Sequence, residues 1–136
     1  VLGTIDKLFE FFVKQQFKAV LFYYHGGEPT RYSKIVEVLQ YIKQKSAETG
    51  ITAYNEMQTN LTTKESVLRA ILPYCDLFNI TFHYLELKAR PQKLEAFNRN
   101  YQILRDEGKP IHNLDVMLEN SSLTRSTSEL YLSAND

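Results

Sequence analysis

Cysteine, glycine and proline are scarce: Cys75 is the only cysteine, with five glycines, four prolines and no tryptophan in 136 residues. One thiol cannot make an internal disulfide, which excludes a disulfide-stapled scaffold and leads us to expect a reducing, cytoplasmic setting. An excess of charge is lacking too, since sixteen basic and sixteen acidic residues cancel. No cationic surface is implied, so neither nucleic acid nor an anionic membrane is the expected partner. The longest apolar runs, Ala19 to Tyr24 and Leu77 to Tyr84 (the latter broken by Asn79 and Thr81), fall far short of the ~20 residues that cross a bilayer. No basic stretch leads into an apolar segment and a small-residue cleavage site, so no secretory signal is visible. Three Asn-x-Ser/Thr triplets, at Asn60, Asn79 and Asn120, are chance matches in that setting. The chain begins with Val1 and is expected to be a segment of a longer protein.

What remains is ordinary globular material, 43% hydrophobic and 24% charged, long enough for one domain with a sizeable core. Its periodicity alternates. Ile5, Leu8, Phe9 and Phe12 predict a helix over 5–16 with Thr4 as its cap. Ala19 to Tyr24 reads as a buried strand. Ile35, Val38, Leu39 and Ile42 mark a helix that stops near Gly50, and 51–59 reads as a second, more polar strand. Thr62 and Glu65 have the spacing of a capping box for a third helix carrying Val67, Leu68, Ile71 and Leu72. Leu77 to Tyr84 is the third strand. Pro91 opens a fourth helix with Leu94, Phe97, Tyr101 and Leu104 on its buried side, and 111–118 is the last strand. Residues 121–136, seven of them Ser or Thr, read as a loop or tail.

The order α-β-α-β-α-β-α-β needs crossover connections and predicts parallel strands, in an open doubly wound sheet or an incomplete (β/α) barrel. Four strands cannot close a barrel that takes about 250 residues. In either fold chemistry gathers at the carboxyl ends of the strands. Those ends offer His25, Gly26, Gly27 and Glu28; then Gln58, Thr59 and Asn60; then Thr81, His83 and Glu86; then Asp115, Glu119 and Asn120. Two glycines straight after a buried strand let the backbone turn sharply beside a ligand. A carboxylate fixed ahead of Pro29 suits a ligand ammonium group.

His25-Gly26-Gly27-Glu28-Pro29-Thr30 resembles the Gly-Gly-Glu motif of radical S-adenosylmethionine (SAM) enzymes, which follows the second strand of their partial barrel. Gln58-Thr59-Asn60 is similar to the Thr-Asn element that closes their third strand. Asn79-Ile80-Thr81-Phe82-His83 is similar to their fourth-strand segment, with His83 where an Asp is common. The resemblance covers residues 1–120. It implies a SAM site on Gly26, Gly27 and Glu28 for the methionine end, with Asn60 and Thr81 toward its carboxylate or ribose. It also implies a 4Fe–4S cluster, an electron donor and a substrate, with peptides favoured because peptide-modifying members carry Gly-Gly-Glu-Pro in this form. The family's CxxxCxxC cluster loop is missing, and Cys75 cannot replace three thiolates. The cluster ligands are therefore expected outside this chain, and Cys75 is expected to be a packed thiol.

Other readings stay open. A non-catalytic α/β scaffold fits the same pattern. A barrel metallohydrolase would use His25, His83, Glu28 and Asp115 at the strand mouths, with His112 at the opposite end. An esterase is not expected, because no serine is flanked by glycines as in a nucleophile elbow. Nine tyrosines and eight phenylalanines lack interleaved basic clusters, and core packing is expected to take most of them.

Overall fold

The computed structural model describes residues 1–118; Glu119, Asn120 and the Ser/Thr-rich 121–136 lie outside the described residues. The elements follow the predicted alternation: α1 Leu2–Lys14, β1 Ala19–Tyr24, α2 Ile35–Thr49, β2 Thr52–Thr59, α3 Glu65–Ile71, β3 Leu77–His83, α4 Tyr84–Ala89, α5 Pro91–Asp106 and β4 Ile111–Met117. Short 3₁₀ turns at Pro29–Arg31 and Leu72–Tyr74 complete them.

Two expected caps are corrected. Helix α1 begins at Leu2 with Val1 at its N-cap, so Thr4 lies inside the helix and caps nothing. Helix α3 begins at Glu65 after Lys64. The Thr62 amide and hydroxyl instead donate to Asn60 Oδ1 at 3.1 and 2.8 Å, a local turn that outcompetes the capping box. The third strand also ends one residue early. Tyr84 opens α4, a helix whose six residues are too few to show a 3.6-residue period in the sequence.

All four strands are parallel and stand in chain order, β1-β2-β3-β4. A doubly wound sheet reverses its strand order; these four do not, an order compatible with a segment of a (β/α) barrel. Right-handed crossovers that step in one direction put every helix on one face. Burial agrees. Val20, Phe22 and Tyr24, Ala53 and Met57, and Phe78, Ile80 and Phe82 share one parity along their strands, and all pack into the helix-side clusters.

The opposite parity faces away from the helices. There Leu21, Tyr23 and Tyr54 are exposed, neighbours by the register that sets Leu21 beside Tyr54. Phe11, Phe17, Tyr32 and Tyr84 are also exposed, but most of the described aromatics pack into the two core clusters, as expected.

Cys75 is 1% exposed, as a packed thiol should be. Burial pushes its pKa from the ordinary 9.0 up to about 12. The folded chain therefore keeps a proton that the unfolded chain releases above about pH 9. Stability is expected to fall as pH rises from 9 toward 12, by up to ~1.4 kcal/mol per unit from this group. Under native conditions at pH 8, Ellman's reagent should leave Cys75 unmodified for hours and react fully in denaturant. Prompt native reaction would place the thiol at the surface.

Candidate functional site

The carboxyl ends of the strands enclose a cleft of about 820 Å³. Its walls include Gly26, Gly27 and Glu28 after β1, Gln58, Thr59 and Asn60 at the end of β2, Thr81 and His83 on β3, and Asp115 on β4. All five residues assigned to SAM by resemblance line this one cleft. His25 does not; its ring stacks on Tyr23, with centroids 5.1 Å apart, beside a smaller hollow.

The two glycines make the turn out of β1. Gly26 and Gly27 have φ of +83° and +62°, left-handed backbone that a side chain would strain. A Cβ added at either would meet no atom within 4 Å, so the requirement there is conformational and not one of close packing.

Glu28 departs from the simple expectation. Its Oε1 accepts from the hydroxyls of Thr30 and Thr59 at 2.6 and 2.7 Å, and more weakly from the Thr30 amide at 3.3 Å. Its Oε2 accepts the Asn60 amide at 2.8 Å. The carboxylate first ties the end of β1 to the end of β2, and one lone-pair direction on Oε2 remains for a ligand. Asn60 is similarly engaged, its Oδ1 held by Thr62 and its side-chain NH₂ free among the described residues. The Thr81 hydroxyl makes no side-chain hydrogen bond among the described residues.

The loop after β2 is held from below. Leu61 is buried with φ of +56°, a conformation that costs a branched residue ~1–2 kcal/mol. Asn100 on α5, fully buried, donates both amide protons to the carbonyls of Leu61 and Thr63, each at 2.8 Å. Sequence reading passed over Asn100, though its signal was present: a polar residue inside the apolar stripe of Phe97, Tyr101 and Leu104.

Charge in the cleft is mixed. Glu86 pairs with Lys93 and Arg90. The hydrogen bond from Lys93 holds its carboxyl below the usual range, against the opposing effect of burial, and the neighbouring His83 and Arg90 add to the lowering. Arg31 and Asp115 also line the cleft, with no ion-pair partner among the described residues. Neither Arg31 nor Lys93 was anticipated. Among the described residues no three His, Cys, Asp or Glu side chains converge on a metal position. A hydrolytic metal site built on His25, His83, Glu28 and Asp115 is therefore not assembled.

Fold and site together define an α/β domain with a parallel sheet and a polar cleft at its carboxyl edge. Compared with known proteins, the chain matches no family model, no curated protein and no solved structure. Among the described residues no helix is long and apolar enough to cross a membrane.

Proposed function

We propose that the chain is part of a partial (β/α) barrel of the radical SAM type, and that its cleft holds the methionine end and ribose of SAM. The observation carrying this reading is that residues from three separate strand ends, picked out by one motif set, line a single cleft. Chain-ordered strands with one helix-free face support the barrel.

The groups left free suit that ligand. The remaining lone pair of Glu28 suits an ammonium, while the Asn60 side-chain NH₂ and the Thr81 hydroxyl offer donors to a carboxylate or ribose oxygens. The turn at Gly26 and Gly27 presents bare backbone. The cluster does not fit these residues: a single buried thiol with a raised pKa is no substitute for three thiolates. Its ligands, the electron donor and the substrate, with a peptide favoured, belong to the rest of a cytoplasmic enzyme. SAM held by Gly26, Gly27, Glu28, Asn60 and Thr81 would, on one-electron reduction and loss of methionine, supply a 5′-deoxyadenosyl radical for hydrogen abstraction from a substrate. Purified by itself, this chain should carry no iron.

Thr81→Val tests the reading without disturbing the fold, because it exchanges the hydroxyl for a methyl at a position with no internal hydrogen bond. In the complete, cluster-loaded parent, loss of one hydrogen bond is expected to weaken SAM about fivefold to tenfold, with a matching drop in 5′-deoxyadenosine formed at low SAM. Calorimetric SAM affinity unchanged in both Thr81→Val and Glu28→Ala would remove the assignment.

A further inference from the structure

Beneath the cleft, the helix-free face of the sheet carries a second polar group. Glu56 and Asn79 sit two residues before Gln58 and Thr81 on the same strands and the same face, and so lie about 7 Å deeper. Glu56 is 4% exposed and Asn79 7% exposed. Glu56 Oε1 accepts the Asn79 amide at 2.6 Å and meets His112 Nδ1 at 2.8 Å. No lysine or arginine pairs with Glu56 among the described residues. Asn79 Oδ1 is buried with no hydrogen-bond partner.

The orientation of the Asn79 amide follows from chemistry. Turned over, its carbonyl would face the carboxylate, oxygen against oxygen. Its Oδ1 is bonded to the same carbon as the nitrogen that donates to Glu56, so the orphaned acceptor lies next to the carboxylate. A buried carboxylate without a strong cation, beside a buried carbonyl without a donor, is costly on both counts. One kind of group relieves both: a cation that carries several N–H donors. A metal ion is a poorer match, since only two of the usual ligand types meet here.

We infer that Glu56 and Asn79 form a binding site for a protonated primary amine, with the His112 ring as its movable cover. The His112 side chain is 61% exposed and holds Glu56 by one contact, so it can swing out and yield its position to the ammonium group. Access is from the helix-free face, below Gln58 and Thr81. None of the residues assigned to SAM takes part, so failure of this inference would leave that reading untouched. The amine belongs to a different molecule, either a free alkylamine or the side chain of a lysine.

The test is a nuclear magnetic resonance titration of the chain with n-butylammonium and, separately, with N-acetyl-lysine-N-methylamide. Tetramethylammonium at equal ionic strength serves as the control that cannot donate. Saturable shifts at the Asn79 side-chain amide and the His112 ring are expected with either amine and not with the control. Tighter binding of the lysine derivative identifies a lysine side chain as the source, and tighter binding of n-butylammonium a free amine. Glu56→Gln should weaken binding at least tenfold, and His112→Ala, at an exposed position, should strengthen it severalfold by removing the competing ring. Absent shifts, equal shifts with tetramethylammonium, or weaker binding in His112→Ala overturn the inference. If Glu56→Gln fails to fold, a nuclear Overhauser contact between the butyl chain and the Asn79 amide decides, and its absence at saturation also overturns it.

Discussion

Glu28→Ala is expected to destabilise the chain by about 4 kcal/mol, lowering Tm by roughly 10–15 °C in thermal unfolding followed by circular dichroism. The size follows from what the carboxylate holds. The hydroxyls of Thr30 and Thr59 and the amide of Asn60 all donate to it, and both threonines are buried. Hydrogen bonds to a charged acceptor contribute ~1.5–3 kcal/mol each, and donors stranded in the interior add the cost of desolvation. Against a total stability of ~5–15 kcal/mol the loss is large. Glu28→Gln should fall between the two. One amide oxygen can keep the threonines, but the NH₂ then faces the Asn60 amide, donor against donor. Wild-type stability in Glu28→Ala would mean that this network does not hold the strand ends.

The same result bears on function. Glu28 was singled out in the sequence as a ligand group, yet its geometry makes it first a brace for the strand ends that form the cleft. Lost SAM binding in Glu28→Ala could therefore come from a collapsed cleft. Thr81→Val, which leaves the brace intact, separates recognition from architecture.

How much could be read beforehand depends on the range of each interaction. Strand and helix positions follow local periodicity, and Ala19 to Tyr24 or the Ile35, Val38, Leu39, Ile42 stripe are legible because one face of each is apolar. Pro91 opens α5 as expected, since its missing N–H suits the first turn whatever the tertiary setting. Caps were less legible. Thr62 has two local partners to choose from, and the choice depends on how the Asn60 side chain is oriented.

Strand order was not legible either, because periodicity does not say which strands are neighbours. The strand-end rule brought Glu28, Asn60 and Thr81 to one cleft. It could not bring Glu56 to His112, which are 56 positions apart and meet only through the register of three strands. The charged Glu56 in the middle of β2, a strand legible only as more polar than the first, is the one local sign of it.

Asn100→Ala carries the second large effect, about 3 kcal/mol, through a loop that a helix holds from beneath. The substitution strands the buried Leu61 carbonyl, worth ~1–3 kcal/mol when left unpaired in the interior, and takes one of two donors from that of Thr63, which keeps Arg99 Nη2 at 3.3 Å. It also frees Leu61 from a left-handed backbone that persists only while its surroundings enforce it. The relaxation recovers part of the loss but moves Thr59 and Asn60 at the cleft. Amide exchange at Asn60 and Leu61 should therefore quicken at least a hundredfold in Asn100→Ala, more than at central positions of β2. Asn100→Asp sharpens the test, because burial and the two facing carbonyls would keep its carboxyl protonated to higher pH when folded than when unfolded, outweighing the opposing pull of Arg99 Nε, 3.3 Å from Asn100 Oδ1 in a part-buried contact. Its folded state binds the extra proton more tightly, so stability is retained below the unfolded carboxyl pKa near ~4 and lost as pH rises through the raised folded value. Denaturation midpoints of Asn100→Asp should therefore climb toward the wild type as pH falls from 7 to 4, while those of Asn100→Ala stay parallel to it. A pH-independent deficit in Asn100→Asp would show that residue 100 does not face the two carbonyls.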